Sequence, residues 1–112
     1  MLTSARLHDT VTILRAEEVS GPYNSTVWDW ENATPTEEPA SVQQIGSTED
    51  VVLQQRTETL WRVFLRPTAD LKATDRIQWD GKDLEVVGEP DRPRQRARVH
   101  HVEAVVRAVS GG

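Results

Sequence analysis

The chain has 112 residues, a formal net charge of −5 at pH 7 and no cysteine. That length makes one domain with a modest core, and the missing thiols exclude a disulfide framework and a thiolate metal site. Apolar residues make up 37% of the chain, slightly low for a globular domain even with glycine added, so the subunit is expected to complete its burial against neighbours.

Charge is unevenly spread. Residues 1–55 hold two basic and nine acidic groups, whereas residues 56–112 hold eleven basic and nine acidic ones. If the halves separate in space, the subunit is bipolar and suited to stack between unlike partners. The start of the chain has no apolar signal core, and no stretch approaches the roughly 20 apolar residues of a membrane span. The chain therefore reads as soluble, with no membrane partner. The sequons Asn24-Ser25-Thr26 and Asn32-Ala33-Thr34 then read as chance matches.

The first predicted strand covers residues 9–15, with Val11 and Ile13 on one side and Leu14 opposite. Gly21-Pro22 marks a turn. Residues 25–32 follow as an extended segment with Trp28 and Trp30 on one face. These two cover one end of the core or anchor an interface, where tryptophan often dominates the energy. Residues 33–39 read as a loop because of Pro35 and Pro39. Residues 40–45 read as a short strand, with Val42 and Ile45 as its inward candidates.

Residues 46–56 do not alternate. Ser47 or Thr48 can cap a short helix with Glu49 and Asp50 in its first turn, but Val51 and Val52 are poor helix formers. Gln54, Gln55 and Arg56 have no apolar partner. This stretch is either a hairpin connection or a long arm projecting from a rigid scaffold.

The centre of the chain is a meander. In residues 59–66, Trp61, Val63 and Leu65 share one face, the period-two pattern of a half-buried strand. In residues 75–80, Ile77 and Trp79 oppose Arg76 and Gln78. Asp80-Gly81 supplies a two-residue turn of the type that needs positive φ at both positions. Residues 82–88 return with Leu84 and Val86 inward. A basic hairpin at about residues 89–98 comes next, carrying Arg92, Arg94, Arg96 and Arg98 at a spacing of two. If it is extended, the four guanidinium groups line one edge, either protecting it or facing DNA phosphate or an acidic neighbour. Residues 99–109 close the chain as a long strand with Val102, Ala104, Val106 and Ala108 on one face. The expected fold is all-β: one domain spanning residues 1–112, a small antiparallel β-barrel of six to seven strands with one projecting loop.

No catalytic constellation is present. His100 and His101 are adjacent and face opposite ways on a strand, and His8 is remote, so no metal site is expected. No Gly-rich phosphate loop or nucleophile elbow occurs. The chain is expected to be no enzyme and to need no cofactor.

Taken in order, these segments resemble the head–tail joining proteins of long-tailed double-stranded DNA phages, the head-completion or stopper subunits of the neck. The resemblance runs from about Leu7 to Val106. It rests on His8-Asp9-Thr10-Val11-Thr12-Ile13-Leu14-Arg15, Val27-Trp28-Asp29-Trp30, Ala40-Ser41-Val42-Gln43 and Ser47-Thr48-Glu49. It continues through Trp61-Arg62-Val63-Phe64-Leu65-Arg66 and ends on its best signature, Asp75-Arg76-Ile77-Gln78-Trp79-Asp80-Gly81-Lys82-Asp83-Leu84-Glu85-Val86. The Trp28/Trp30 pair is heavier, and the arm richer in glutamine, than the family's pattern. The resemblance implies a homo-oligomeric ring, commonly of twelve copies, in the virion neck, built in the host cytoplasm. Portal or adaptor protein sits above it, tail terminator or tail tube below, and genomic DNA in the channel. It further implies that the loop holding Ser47, Thr48, Glu49, Asp50, Gln54, Gln55 and Arg56 constricts that channel. The alternatives are a tail terminator or adaptor ring of the same neck, and a small OB- or SH3-like domain that binds nucleic acid through the arginines.

Overall fold

The computed structural model of the protein describes residues 7–47 and 59–109. Ten strands lie within them: β1 (Asp9–Arg15), β2 (Glu18–Ser20), β3 (Thr26–Trp28), β4 (Thr34–Ser47), β5 (Thr59–Leu65), β6 (Arg76–Trp79), β7 (Lys82–Asp91), β8 (Arg94–Gln95), β9 (Arg98–Val99) and β10 (Val102–Ala108). Six of them close an antiparallel barrel in the order β1-β4-β5-β10-β7-β6, and β2–β3 and β8–β9 form separate two-stranded hairpins. The all-β barrel expected from the alternation is thus the fold.

The barrel interior is filled by the inward row of each strand. Val11 and Ile13 enter from β1, Val63 and Leu65 from β5, Ile77 from β6, Leu84 from β7, and Val102, Ala104 and Val106 from β10. Closure leaves these positions almost without solvent contact, and each large aliphatic side chain so buried contributes roughly 1.5–3 kcal/mol. Leu71 joins them from the β5–β6 connection and is fully buried, so a loop residue stops one end of the barrel. Near the other end Trp61 packs edge-on against Trp79, with ring centroids 6.2 Å apart. Asp80 and Gly81, at φ 51° and 73°, make the tight turn that pairs Trp79 with Lys82, as their sequence demands.

Strand directions sort the connections. The β2–β3 hairpin, residues 66–75 and the β8–β9 hairpin all lie at one end of the barrel, here termed the hairpin end. The β6–β7 turn lies at the opposite end, as do the last residue of β4 and the first of β5.

Four details differ from the sequence reading. Residues 34–39 are strand rather than loop, because β4 pairs with β1 from Thr34 to Ala40. β5 flanks β4 only from Ala40 onward, so among the described residues this part of β4 has one open edge. Pro35 and Pro39, four apart, turn their missing N–H groups to the same edge, and a proline is tolerated where that edge is the open one. Ile45 is not inward but exposed, since the register between β4 and β5 shifts between Gln44 and Gly46 and leaves it unpaired. The extended run with Trp28 and Trp30 stops at Trp28, where β3 ends. The final strand begins only at Val102, because His100 N–H donates to the Pro93 carbonyl (2.7 Å) and pulls residues 100–101 out of line.

Candidate functional site

The inward row of β1 ends at Arg15, where the barrel opens at the hairpin end. A cleft of about 360 Å³ marks this mouth, lined by Arg15, Glu17, Thr34, Glu38, Thr68 and Asp70 among others. Three of its charged groups, Arg15, Glu38 and Asp70, are already committed. Arg15 donates from Nε to Asp75 Oδ1 (3.1 Å) and from Nη2 to Asp75 Oδ2 (2.8 Å), and Nη1 reaches Asp70 Oδ2 (2.7 Å). Asp75 is buried and also accepts the Lys72 backbone N–H (2.9 Å). Glu38, likewise buried, accepts from Arg66 Nε and Nη2 through one oxygen, at 3.1 and 3.0 Å. The hydrogen bond from Arg15 is the main reason the Asp70 carboxyl titrates below its ordinary range. Bonds to Asp75 and then Asp70 push the Arg15 guanidinium further above its own. These pairs pin residues 66–75 across the mouth, and they hold no group ready to act as acid, base or nucleophile.

The two hairpins are unlike in chemistry. Residues 16–33 carry Glu17, Glu18, Asp29 and Glu31 and no basic residue. In β2–β3, Val19 lies opposite Val27, and both are exposed, as is Trp28. Tyr23, at the tip, is 100% exposed. The tip is held by Gly21 N–H donating to the Ser25 carbonyl (2.7 Å). A Cβ on Gly21 would stand 2.8 Å from Ser25 Oγ and 3.0 Å from Val27 Cγ1, so any larger residue obliges those side chains to shift. Trp30 lies under Arg76, whose Cζ is 4.1 Å from the ring centroid, and Trp28 and Trp30 flank a shallow groove with Arg76, Glu85 and Val86. The tryptophans packed against the core are Trp61 and Trp79.

Residues 92–101, by contrast, hold four arginines and no acid. The segment is not one extended edge. Arg92 Nη2 donates to the Leu71 carbonyl (2.7 Å) and so braces the plug. Arg94 lies on β8 and Arg98 on β9, and Arg96, at φ 61°, forms the turn between them. No ion pair between described residues engages Arg94, Arg96 or Arg98, nor Glu17, Glu18 or Glu31.

His100 and His101 do not face opposite ways. Off the strand their rings meet, Nδ1 to Nδ1 at 2.8 Å, and His101 Nε2 lies 2.8 Å from Glu103 Oε1. With those nitrogens bonded to each other, the pair is not arranged to clasp a cation. No group of three or more candidate ligands occurs among the described residues. Thr48, Glu49, Asp50, Gln54, Gln55 and Arg56 lie outside the described residues, and of Ser47 only its place at the end of β4 is described. Sequence reasoning missed the Arg15–Asp70–Asp75 knot and the exposed Val19, Tyr23 and Val27. A signal for the two valines was present in the β-branched Val19 and Thr26-Val27 on either side of Gly21-Pro22.

Comparison with known proteins adds to this geometry. The sequence matches the family model described as phage head completion protein over residues 2–107. Comparison with curated proteins returns no match. Among solved structures, protein SF1141 from Shigella flexneri 2a aligns with a TM-score of 0.63 at 22% identity, covering 99% of this chain and 100% of that one. A chain from the virion of a native gene transfer agent particle aligns with a TM-score of 0.70 at 15% identity, covering 92% and 94%. At such identities both likenesses bear on the fold alone, whereas the family match spans nearly the whole chain. The protein belongs to the phage head completion protein family, structural components of the virion and not enzymes.

Proposed function

We propose that the protein is the stopper of the neck, a ring subunit that closes the portal channel after DNA packaging and offers the docking face for the tail. The observation that carries this reading is the head completion family match over residues 2–107. The fold agrees with it. A closed barrel exposes little strand edge for pairing, so neighbouring subunits must meet through what projects from the wall. Ring contacts of the head-to-tail kind need two different surfaces per subunit, and two unlike hairpins are available. In this reading the ring holds about twelve copies between portal or adaptor and tail. The segment between β4 and β5, with Glu49, Asp50 and Arg56, narrows its bore.

Two experiments test it. Particles made without the protein should fill with DNA and then lose it, and should carry no tails. Stable, tailed, DNA-filled particles from that deletion sink the proposal. Removing residues 48–55 alone should leave the barrel folded and the heads leaky, and heads that stay full count against that segment as the plug.

A further inference from the structure

Two features at the hairpin end are left unexplained by the fold. The β2–β3 hairpin exposes Val19 and Val27 on one face, Trp28 with Glu18 on the other and Tyr23 at its tip, a costly arrangement for a surface that meets only water. The β8–β9 hairpin sets out Arg94, Arg96 and Arg98 with no internal ion-pair partner among the described residues. From this we infer that the β2–β3 hairpin of one copy docks on the β8–β9 hairpin of a second copy. The inference rests on the ring reading and names the surfaces that join its subunits.

Three observations favour a second copy over another occupant. The charges are complementary: four acids and no base in residues 16–33, four arginines and no acid in residues 92–101. The side-chain types also match, because a guanidinium pairs with carboxylates in a bidentate way and stacks on aromatic faces. This chain already uses that stacking in Arg76 over Trp30. Finally, both hairpins lie at the same end of the barrel. With the barrel axis along the ring axis, mating surfaces of rotation-related subunits sit at equal height, and hairpins at opposite ends would build a staggered filament instead.

The contact is heterologous, and the absence of cysteine makes it simple to trap. Full-length Thr26→Cys protein, with its thiol on β3, is mixed in equal amounts with Ala97→Cys protein, with its thiol in the β8–β9 turn. Both positions are exposed. After mild oxidation, random collision yields no more mixed dimer than the two homodimers together. The contact predicts a clear excess of mixed dimer that vanishes near 1 M salt, where the screening length falls to about 3 Å. Glu17→Arg with Glu18→Arg in the first protein should abolish the excess, as should Arg96→Glu with Arg98→Glu in the second. Combining the two reversed proteins should restore it. Each variant is first checked for the unchanged melting temperature of its parent.

A random distribution, or an excess indifferent to both charge reversals, overturns the contact. So does a random distribution with tight, salt-sensitive binding of short duplex DNA by the parent but not by the Arg96→Glu/Arg98→Glu protein, which assigns the arginines to nucleic acid. The ring reading fails separately. A neck image with no ring of this protein sinks that reading while a charge-dependent excess still supports the contact, and a ring without the excess does the reverse.

Discussion

Replacing Asp75 with alanine removes the carboxylate on which three hydrogen bonds converge, two from Arg15 and one from the Lys72 backbone. Bonds to a charged group contribute about 1.5–3 kcal/mol each, and breaking a fully buried pair costs about 3–5 kcal/mol. The site falls short of the buried limit. The Asp75 side chain is 1% exposed but that of Arg15 is 35% exposed, so the arginine regains water and keeps Asp70. A loss of about 2–4 kcal/mol follows, which for a domain of this size lowers Tm by about 8–17 °C. Asp75→Asn keeps the shape and one acceptor for Lys72, and should lose about half as much. Urea unfolding followed by tryptophan fluorescence measures both. If Asp75→Ala costs less than about 1 kcal/mol, the knot behaves as an ordinary surface ion pair and the role assigned to it at the barrel mouth is wrong.

Other outcomes follow from the same structure. Asp70 titrates below its ordinary range when folded because Arg15 hydrogen-bonds it. Its stabilising effect is therefore complete above the ordinary carboxylate range and fades as pH falls through the depressed value. Asp70→Asn should flatten the acid limb of a Tm-against-pH curve, weakly because the group is exposed, and a steeper limb refutes this. Leu71→Ala should cost about 2–5 kcal/mol by opening a void at the plugged end, read by chemical denaturation. Gly81→Ala should cost about 1–2 kcal/mol through backbone strain alone, since φ is +73° and nothing lies within 4 Å of the added Cβ. Arg76→Ala should shift the Trp30 emission while costing only about 0.5–1 kcal/mol.

The legible parts of the fold were those governed by neighbours in sequence. Trp61, Val63 and Leu65, Ile77 and Trp79, and Leu84 and Val86 fall on the predicted faces because a closed barrel enforces period-two burial. Asp80-Gly81 was readable because its turn requires left-handed residues. The rest depended on partners far along the chain. Arg15 meets Asp75 across 60 positions, and its only local hint was its place on the inward row after Val11 and Ile13. The strand at residues 34–39 was hidden by prolines, which break a ladder unless one side is open, and openness is a property of the sheet. Arg96 turns a hairpin although arginine is no favoured turn residue, so the arginines read as a straight ladder. The exposed valines of β2–β3 were hidden for another reason: pattern tells which residues share a face, not whether anything covers it.

The bare side of β4 has a consequence of its own. A subunit that accumulates before it is used risks adding foreign chains wherever backbone donors and acceptors stand free. With donors deleted at Pro35 and Pro39, that margin cannot complete a ladder with an incoming strand. Replacing both with threonine, a residue at home in sheets, should convert a mute border into a seed for fibre growth. If that outcome holds, the two prolines that disguise this strand in the sequence are also what guards the free protein against edge-to-edge pairing.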